Sequence, residues 1–474
     1  MKRKLCLAIG LAAGALLAQD AKNLLDNAGK AMGSVKSIQY SGTGMNAFFG
    51  QALSAGKEWP RRDLTSYSRT INYDQKSATE EFVFANPNVF GGQRQNNEVN
   101  GDKAWNVGAT GAAAPQLANA EERQLAIWMT PHGFLKAAME AGNATVKPRT
   151  EGGRKVNVVT FTALGKYKVS GTIDSQNMVT KVETRFPNPV LGDMAVVNTY
   201  SDYKDFNGVK FPTKIVQAQG GFSVNELTIT NVRPNAPADL PVPPAVQSAS
   251  MPAVRVETSN LGDGLWFVGG GSHHSLVVEF KDYTTVIEGP LTEERSLAVL
   301  AEAKRLVPNK PVKYVVSTHH HFDHSGGLRT YVAEGTTLIT HQSNKPYFEK
   351  TFKAPATLAP DQQAKGPRKA NIIAVSDKYV LTDGKQTIEV YATQGDTHTD
   401  ELLVAYLPAQ RVLVEADSFS PGPPNTPPPP TPPPNAVTLY NNIQRLKLDV
   451  GTIVGIHGRG PVPMAEFLKF VGKS

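Results

Sequence analysis

The sequence predicts two folded domains in an α+β and α/β arrangement, an antiparallel β domain followed by a domain of alternating strands and helices. Three observations lead there. The chain has 474 residues, more than one ordinary hydrophobic core accommodates. Residues 236–252 are rich in Pro, Ala and Ser, lack periodicity and read as a linker. Before this stretch, short β-type runs follow one another; after it, such runs alternate with helical segments. A hydrophobic content of 40% with 19% charged residues fits a globular chain.

Lys2, Arg3 and Lys4 precede an apolar run over residues 5–17, and Ala18 is a small residue suited to cleavage. Residues 1–18 therefore read as an export signal, and the expected location is periplasmic or secreted. The run is too short to span a bilayer, and no other segment is long and apolar enough, so no transmembrane segment is expected in the mature chain. The net charge of +7 includes the three cations of that segment, and no basic run elsewhere points to nucleic acid. The single cysteine, Cys6, lies inside the same segment. A mature chain then has no thiol, forms no disulfide and must hold any metal through His and carboxylates.

In the first domain, residues 20–235, the pattern predicts a helix over 20–32. Strands follow at 166–173, 179–185, 195–203 and 211–218, rich in Val, Thr, Tyr and Phe and separated by Gly, Asn, Asp and Pro. Asn207-Gly208 between two aromatic-containing runs is hairpin-turn chemistry. The segment 203–212 resembles periplasmic lipoprotein-carrier-like domains. That resemblance implies a curved sheet around an apolar cavity, and hence an alternative function, binding of a lipid or apolar ligand through this domain.

The second domain, residues 253–474, opens with strands at 276–280 and 284–288 that read as a hairpin. Thr292 is placed to cap a helix whose first turn holds Glu293 and Glu294, facing the positive end of the helix dipole. Leu297, Leu300 and Ala303 are expected on its buried face, and the helix should stop before Pro308. Further strands are expected at 312–316, 337–339, 372–375, 388–391, 402–406, 412–414 and 452–456. Residues 421–434 are Pro-rich and should form an extended surface loop, because proline supplies no N–H for pairing.

Of the ten histidines only His132 precedes the linker, so the chemistry concentrates in the second domain. The segment Thr318-His319-His320-His321-Phe322-Asp323-His324-Ser325-Gly326-Gly327 directly follows a buried-type strand. Side chains at i and i+2 of extended backbone point the same way, so His319 and His321 can share one ion while His320 points away. After the turn, Asp323 and His324 can reach a second ion. Gly326 and Gly327 allow close backbone approach. Three later strand ends each supply one more ligand-type side chain, His398, Asp417 and His457.

The ordered combination H-x-H-x-D-H, then His, Asp and His, resembles the metallo-β-lactamase fold superfamily over about residues 260–474. The resemblance implies an αβ/βα sandwich. It implies that His319, His321 and His398 bind a first metal, that Asp323, His324 and His457 bind a second, and that Asp417 bridges them. It implies a hydrolase with Asp323 as a catalytic residue, acting on a small-molecule substrate with two divalent ions. Nitrogen and oxygen ligands suit zinc, with iron or manganese compatible. His321 separates the chain from the flavo-diiron branch, which resembles it but has Glu there. Asp417 makes the site look like the glyoxalase II and lactonase branches, so an ester, thioester or lactone bond is expected ahead of the alternative, a β-lactam. Glu288 departs from the Asp common in the family. His273 and His274 follow a Gly-rich turn near where this fold's first loop approaches the metals, and either substrate contact or support of the site is expected of them. His341 is a candidate supporting residue, and Arg459 a candidate for an anionic substrate group.

Overall fold

The computed structural model describes residues 20–88 and 92–473; the expected export signal at 1–18 lies outside them. The chain divides into two compact units that are not contiguous in sequence. The second unit consists of Ala253–Ser474 together with two earlier segments, Phe49–Trp59 and Pro187–Asp193. No helix among the described residues is long and apolar enough to cross a membrane.

The first unit is built on a 13-stranded antiparallel sheet. Its strands follow one another in sequence, except that Ser37–Ala47 pairs with Phe222–Pro234 and so joins the two ends of the chain run in the middle of the sheet. Residues 20–32 are helical. The Asn207-Gly208 turn closes a hairpin with φ of 55° and 83°, the positive values these two residue types tolerate. The helix Pro131–Glu140 is capped by Thr130, whose side chain accepts from Gly133 N. It seats Phe134 so closely on the sheet that a Cβ at Gly171 would fall 2.2 Å from the ring. A cavity of about 350 Å³ lies in this unit. Leu125, Met129, Phe211 and Leu227 line part of it, but Arg69, Glu80, Asn97 and Arg123 line the rest. The wholly apolar cavity expected of a lipid carrier is therefore not what the fold provides: charged side chains occupy its wall, and each would have to stay paired beside a lipid tail.

The second unit holds two mixed sheets, one of seven strands and one of six. Their facing sides share a core of Leu276, Val278, Ile287, Val316, Ile388, Leu403, Val414 and Val454, among others. The outer face of the seven-stranded sheet packs Val286 and Val315 against Val299 and Leu300 of the helix Glu293–Leu306 and Leu328 and Val332 of Leu328–Ala333. The outer face of the six-stranded sheet packs Leu413 and Ile453 against Leu439 and Ile443 of Pro434–Leu446 and Phe467 of Met464–Phe470. Helix, sheet, sheet, helix is the αβ/βα sandwich.

Thr292 caps the helix Glu293–Leu306, its side chain accepting from Arg295 N. One expectation fails here. Leu297 is exposed, and the buried stripe runs through Ser296, Val299, Leu300 and Ala303. Those four keep the i, i+3, i+4, i+7 spacing of one helix face, whereas Leu297 lies about 100° round from Ser296.

Candidate metal centre

Four strand ends converge at one edge of the sandwich. Val312–Val316 leads to His319–His324, Thr387–Ala392 to His398, Val412–Glu415 to Asp417, and Thr452–Gly455 to His457. Glycines make the tight approach after the first of these possible. A Cβ on Gly326 would stand 2.0 Å from Leu291 O, and one on Gly327 1.9 Å from Ser296 Oγ.

The structure brings all seven expected ligands together. Together with an eighth residue, His273, they form two groups, His319, His321, His398 and Asp417 in one, and Asp323, His324, His457 and His273 in the other. Asp417 stands between them. Its Oδ2 lies 3.1 Å from His319 Nε2, 3.3 Å from His398 Nε2 and 2.8 Å from His324 Nε2, while Oδ1 lies 2.8 Å from His457 Nε2. Asp417 adopts φ 61°, a strained backbone for a non-glycine residue of the kind that persists at functional positions. The turn is held by Glu415, whose Oε2 accepts from the backbone N–H groups of Ser418 and Phe419 at 3.0 and 3.1 Å.

The imidazoles are oriented from behind. His324 Nδ1 donates to Glu288 Oε2 at 2.7 Å, and Glu288 Oε1 accepts from Thr318 N at 2.7 Å. His319 Nδ1 lies 3.0 Å from Thr318 Oγ1. His321 Nε2 donates to the carbonyl of Ala52 at 2.9 Å. Asp323 is held at both oxygens, by Gln51 Nε2 on Oδ1 at 2.8 Å and His273 Nε2 on Oδ2 at 3.1 Å. Outer partners of this kind fix the tautomer and leave the inner nitrogen free to ligate.

Against the opposing effect of burial, the carboxylates of Asp417 and Glu288 hold the His324 imidazole well above its ordinary value. Burial pushes His319 down to about 3, and burial with neighbouring His319 and His398 pushes His321 well below its ordinary value, so both are neutral imidazoles. Burial opposes ionisation of Asp417, but His324 and the hydrogen bonds of the surrounding imidazoles hold it well below the usual carboxylate range. Asp323 is likewise held low against burial by its bond from His273 and by His324. His319 Nε2, His321 Nδ1 and His398 Nε2 are buried at the site, the first and last facing Asp417 Oδ2 at 3.1 and 3.3 Å and His321 Nδ1 with no hydrogen-bond partner among the described residues. Three imidazole nitrogens and a carboxylate oxygen turned on one point fit a divalent ion.

Residues 268–457 match the model of the Metallo-beta-lactamase superfamily. The C-terminal domain belongs to this superfamily. The chain is accordingly a metal-dependent hydrolase. Solved structures similar to it include a metallo-beta-lactamase from Pontibacter korlensis, 19% identical with a TM-score of 0.35, over 46% of this chain and 98% of that one. Another is a metallo-beta-lactamase from Hirschia baltica, 19% identical with a TM-score of 0.34, over 46% of this chain and 95% of that one. No curated protein matches the chain.

The remaining predicted residues fall in different places. His273 joins the second group of donors. His274 is turned away from it, with Nε2 2.8 Å from Gly458 O and its ring on Phe267. His320 points away from the donors, as its place between His319 and His321 implies, and is buried and bonded to Glu401. His341 stands apart as a cap, its Nδ1 accepting from Ser343 N at 3.3 Å. Arg459 is engaged by Glu466 and by Gly422 O at 2.7 Å, and so is not free for a substrate anion. Sequence reasoning missed Gln51, Ala52, Glu401 and Glu415. Glu415 alone carried a usable signal, a carboxylate at the end of an apolar strand two residues before Asp417.

Proposed function

We propose that the chain is an exported dinuclear zinc hydrolase that cleaves an ester, thioester or lactone bond in a small molecule. The observation that carries this is the placement of Asp417, whose Oδ2 lies within 3.3 Å of histidine nitrogens of both groups while Oδ1 faces His457 of the second. A single carboxylate shared in this way supports two ions rather than one. His319, His321 and His398 would hold the first, Asp323, His324 and His457 the second. Nitrogen and oxygen ligation favours zinc, and the absence of any cysteine beyond Cys6 removes thiolate-dependent alternatives. When bound, the ions would supply Lewis acidity that acidifies water and polarises a carbonyl.

The protein residues do the rest. Asp323, fixed from both sides by Gln51 and His273, is oriented to take a proton from the attacking water and return it to the leaving group. Glu288 holds His324, and Ala52 holds His321, in the orientation the site needs. The basic and apolar opening of the sequence supports export, which cell fractionation of the full-length chain checks.

The test is turnover of a panel of carboxylic esters, thioesters and lactones by the purified, zinc-loaded protein. Hydrolysis that disappears on chelation and returns with zinc supports the reading. Hydrolysis that survives in both His321→Ala and Asp417→Asn contradicts it.

A further inference from the structure

The geometry points to His273 as an additional ligand of the second metal ion, an inference that rests on the dinuclear reading above. The loop carrying it is built for position. After the strand Leu265–Gly269, Gly270 takes φ 104°, and a Cβ there would lie 2.4 Å from Arg255 O. Only glycine lets the chain turn so close to that carbonyl. The buried Arg295 then binds the loop from inside. Its Nη2 donates to the carbonyls of Val268, Gly269 and His273 at 3.0, 3.0 and 3.3 Å. On the other side His274 N donates to Ile456 O at 3.0 Å, tying the loop to the residue just before His457.

The His273 ring is thereby aimed into the second group of donors. Its centroid lies 4.0 Å from that of His457 and 5.1 Å from that of His324. Nε2 lies 3.1 Å from Asp323 Oδ2, the same separation as His324 Nε2 from His457 Nε2 and shorter than the 3.7 Å from His324 Nε2 to Asp323 Oδ2. Neighbouring donors about 2.0–2.1 Å from one ion stand roughly 2.9–3.4 Å apart, so Nε2 of His273 keeps the spacing of a ligand among ligands. Ser272 Oγ sits 2.8 Å from Nδ1. A hydroxyl can accept as readily as it donates, so the ring can carry its proton on Nδ1 and turn the Nε2 lone pair on the ion, exchanging its bond to Asp323 Oδ2 for ligation beside that oxygen.

With His273 included, the second ion has three imidazoles, Asp323 and the shared Asp417 around it, while the first has three imidazoles and the shared Asp417. The second group then offers one more protein ligand than the first.

The experiment is titration of the metal-free full-length protein with Co(II), followed by visible absorbance and calorimetry, for wild type, His273→Ala and His273→Gln. Glutamine keeps an N–H to donate to Asp323 but is a poor ligand. The wild type is expected to take two equivalents. In both variants the first equivalent should bind as in wild type, while the second weakens by more than about 100-fold, beyond what loss of an outer partner produces, with an altered visible band. Wild-type affinity and spectrum for the second equivalent in the glutamine variant would reduce His273 to a hydrogen-bond donor and overturn the inference alone. Fewer than two equivalents in the wild type would overturn the dinuclear reading and this inference with it.

Discussion

The carbonyl of Ala52 accepts a hydrogen bond from Nε2 of His321 at 2.9 Å. Two residues of such distant sequence position meet because Phe49–Trp59, the connection between the strands Ser37–Ala47 and Arg61–Asn72 of the large sheet, folds as part of the second unit. Phe49 and Trp59 pack edge-on against Phe322 at 5.3 and 5.4 Å, and Gly50 admits that ring where a Cβ would stand 2.9 Å from it. Gln51 adds its bond to Asp323, and Leu53 O accepts from Asp400 N at 3.0 Å. The sequence that completes the metal centre thus includes a segment far upstream of the metal motifs.

Replacing residues 49–59 by a Gly-Ser linker of equal length should therefore weaken binding of the first ion by about 10- to 100-fold, the usual effect of removing an outer partner of a ligating histidine. Calorimetric titration with zinc measures it. The point variant Gln51→Ala should leave metal content unchanged and lower kcat by about tenfold through misorientation of Asp323, with little change in KM.

Asp417→Asn is the substitution that tests the bridge without disturbing the fold, because asparagine tolerates φ near 61° as aspartate does. Losing the shared charge should remove at least one ion per chain and cut hydrolysis by about 1,000-fold or more. It should also reduce the rise in melting temperature on zinc addition that linkage predicts for the wild type. Melting curves with and without zinc check the second point.

Glu288→Asp probes the support beneath His324. The shorter side chain can reach His324 Nδ1 or Thr318 N but not both at the present 2.7 Å distances. Affinity for the second ion should fall by about 10- to 100-fold while the first is unchanged. Equal loss at both sites would show that Glu288 supports the fold rather than that imidazole.

His132, in the first unit, gives a pH prediction independent of any metal. Its ring is buried, lies parallel to Phe211 at 6.2 Å and leaves Nδ1 without a partner. Burial pushes its pKa down from 6.5 to about 4. Between those values the unfolded chain binds a proton that the folded chain refuses. The contribution of His132 to stability is complete above pH 6.5, falls as the pH drops towards 4, and levels off below that, by about 3 kcal/mol in all. His132→Phe should flatten the dependence of the first unit's unfolding midpoint on pH across that window.

Much of the site was legible because its residues are both chemically distinctive and locally ordered. His319–His324 form one short run, and His398, Asp417 and His457 each follow an apolar strand, so the strand pattern and the ligand pattern reinforce each other. Gln51 and Ala52 were not legible, for a physical reason: a backbone carbonyl has no residue signature, and a glutamine in a Gly- and Ala-containing connection looks like any loop. Glu401 has no signature either: alternation turns His320 away from the ions but does not say which buried group its ring meets. In the fold, the strand positions were legible from alternation and turn residues. Leu297 was misplaced because a short helical stripe can be drawn through adjacent positions, and only the packing of Val299 and Leu300 on the sheet decides between them. The apolar cavity followed from a resemblance in turn pattern, which carries no information about Arg69 or Arg123 in the wall.

The central claim, two ions shared by Asp417, is tested most directly by the zinc content of the full-length protein after equilibrium dialysis against buffered zinc, measured by mass spectrometry per chain. The account predicts two ions in the wild type. A wild-type chain that retains one ion, or none, contradicts it.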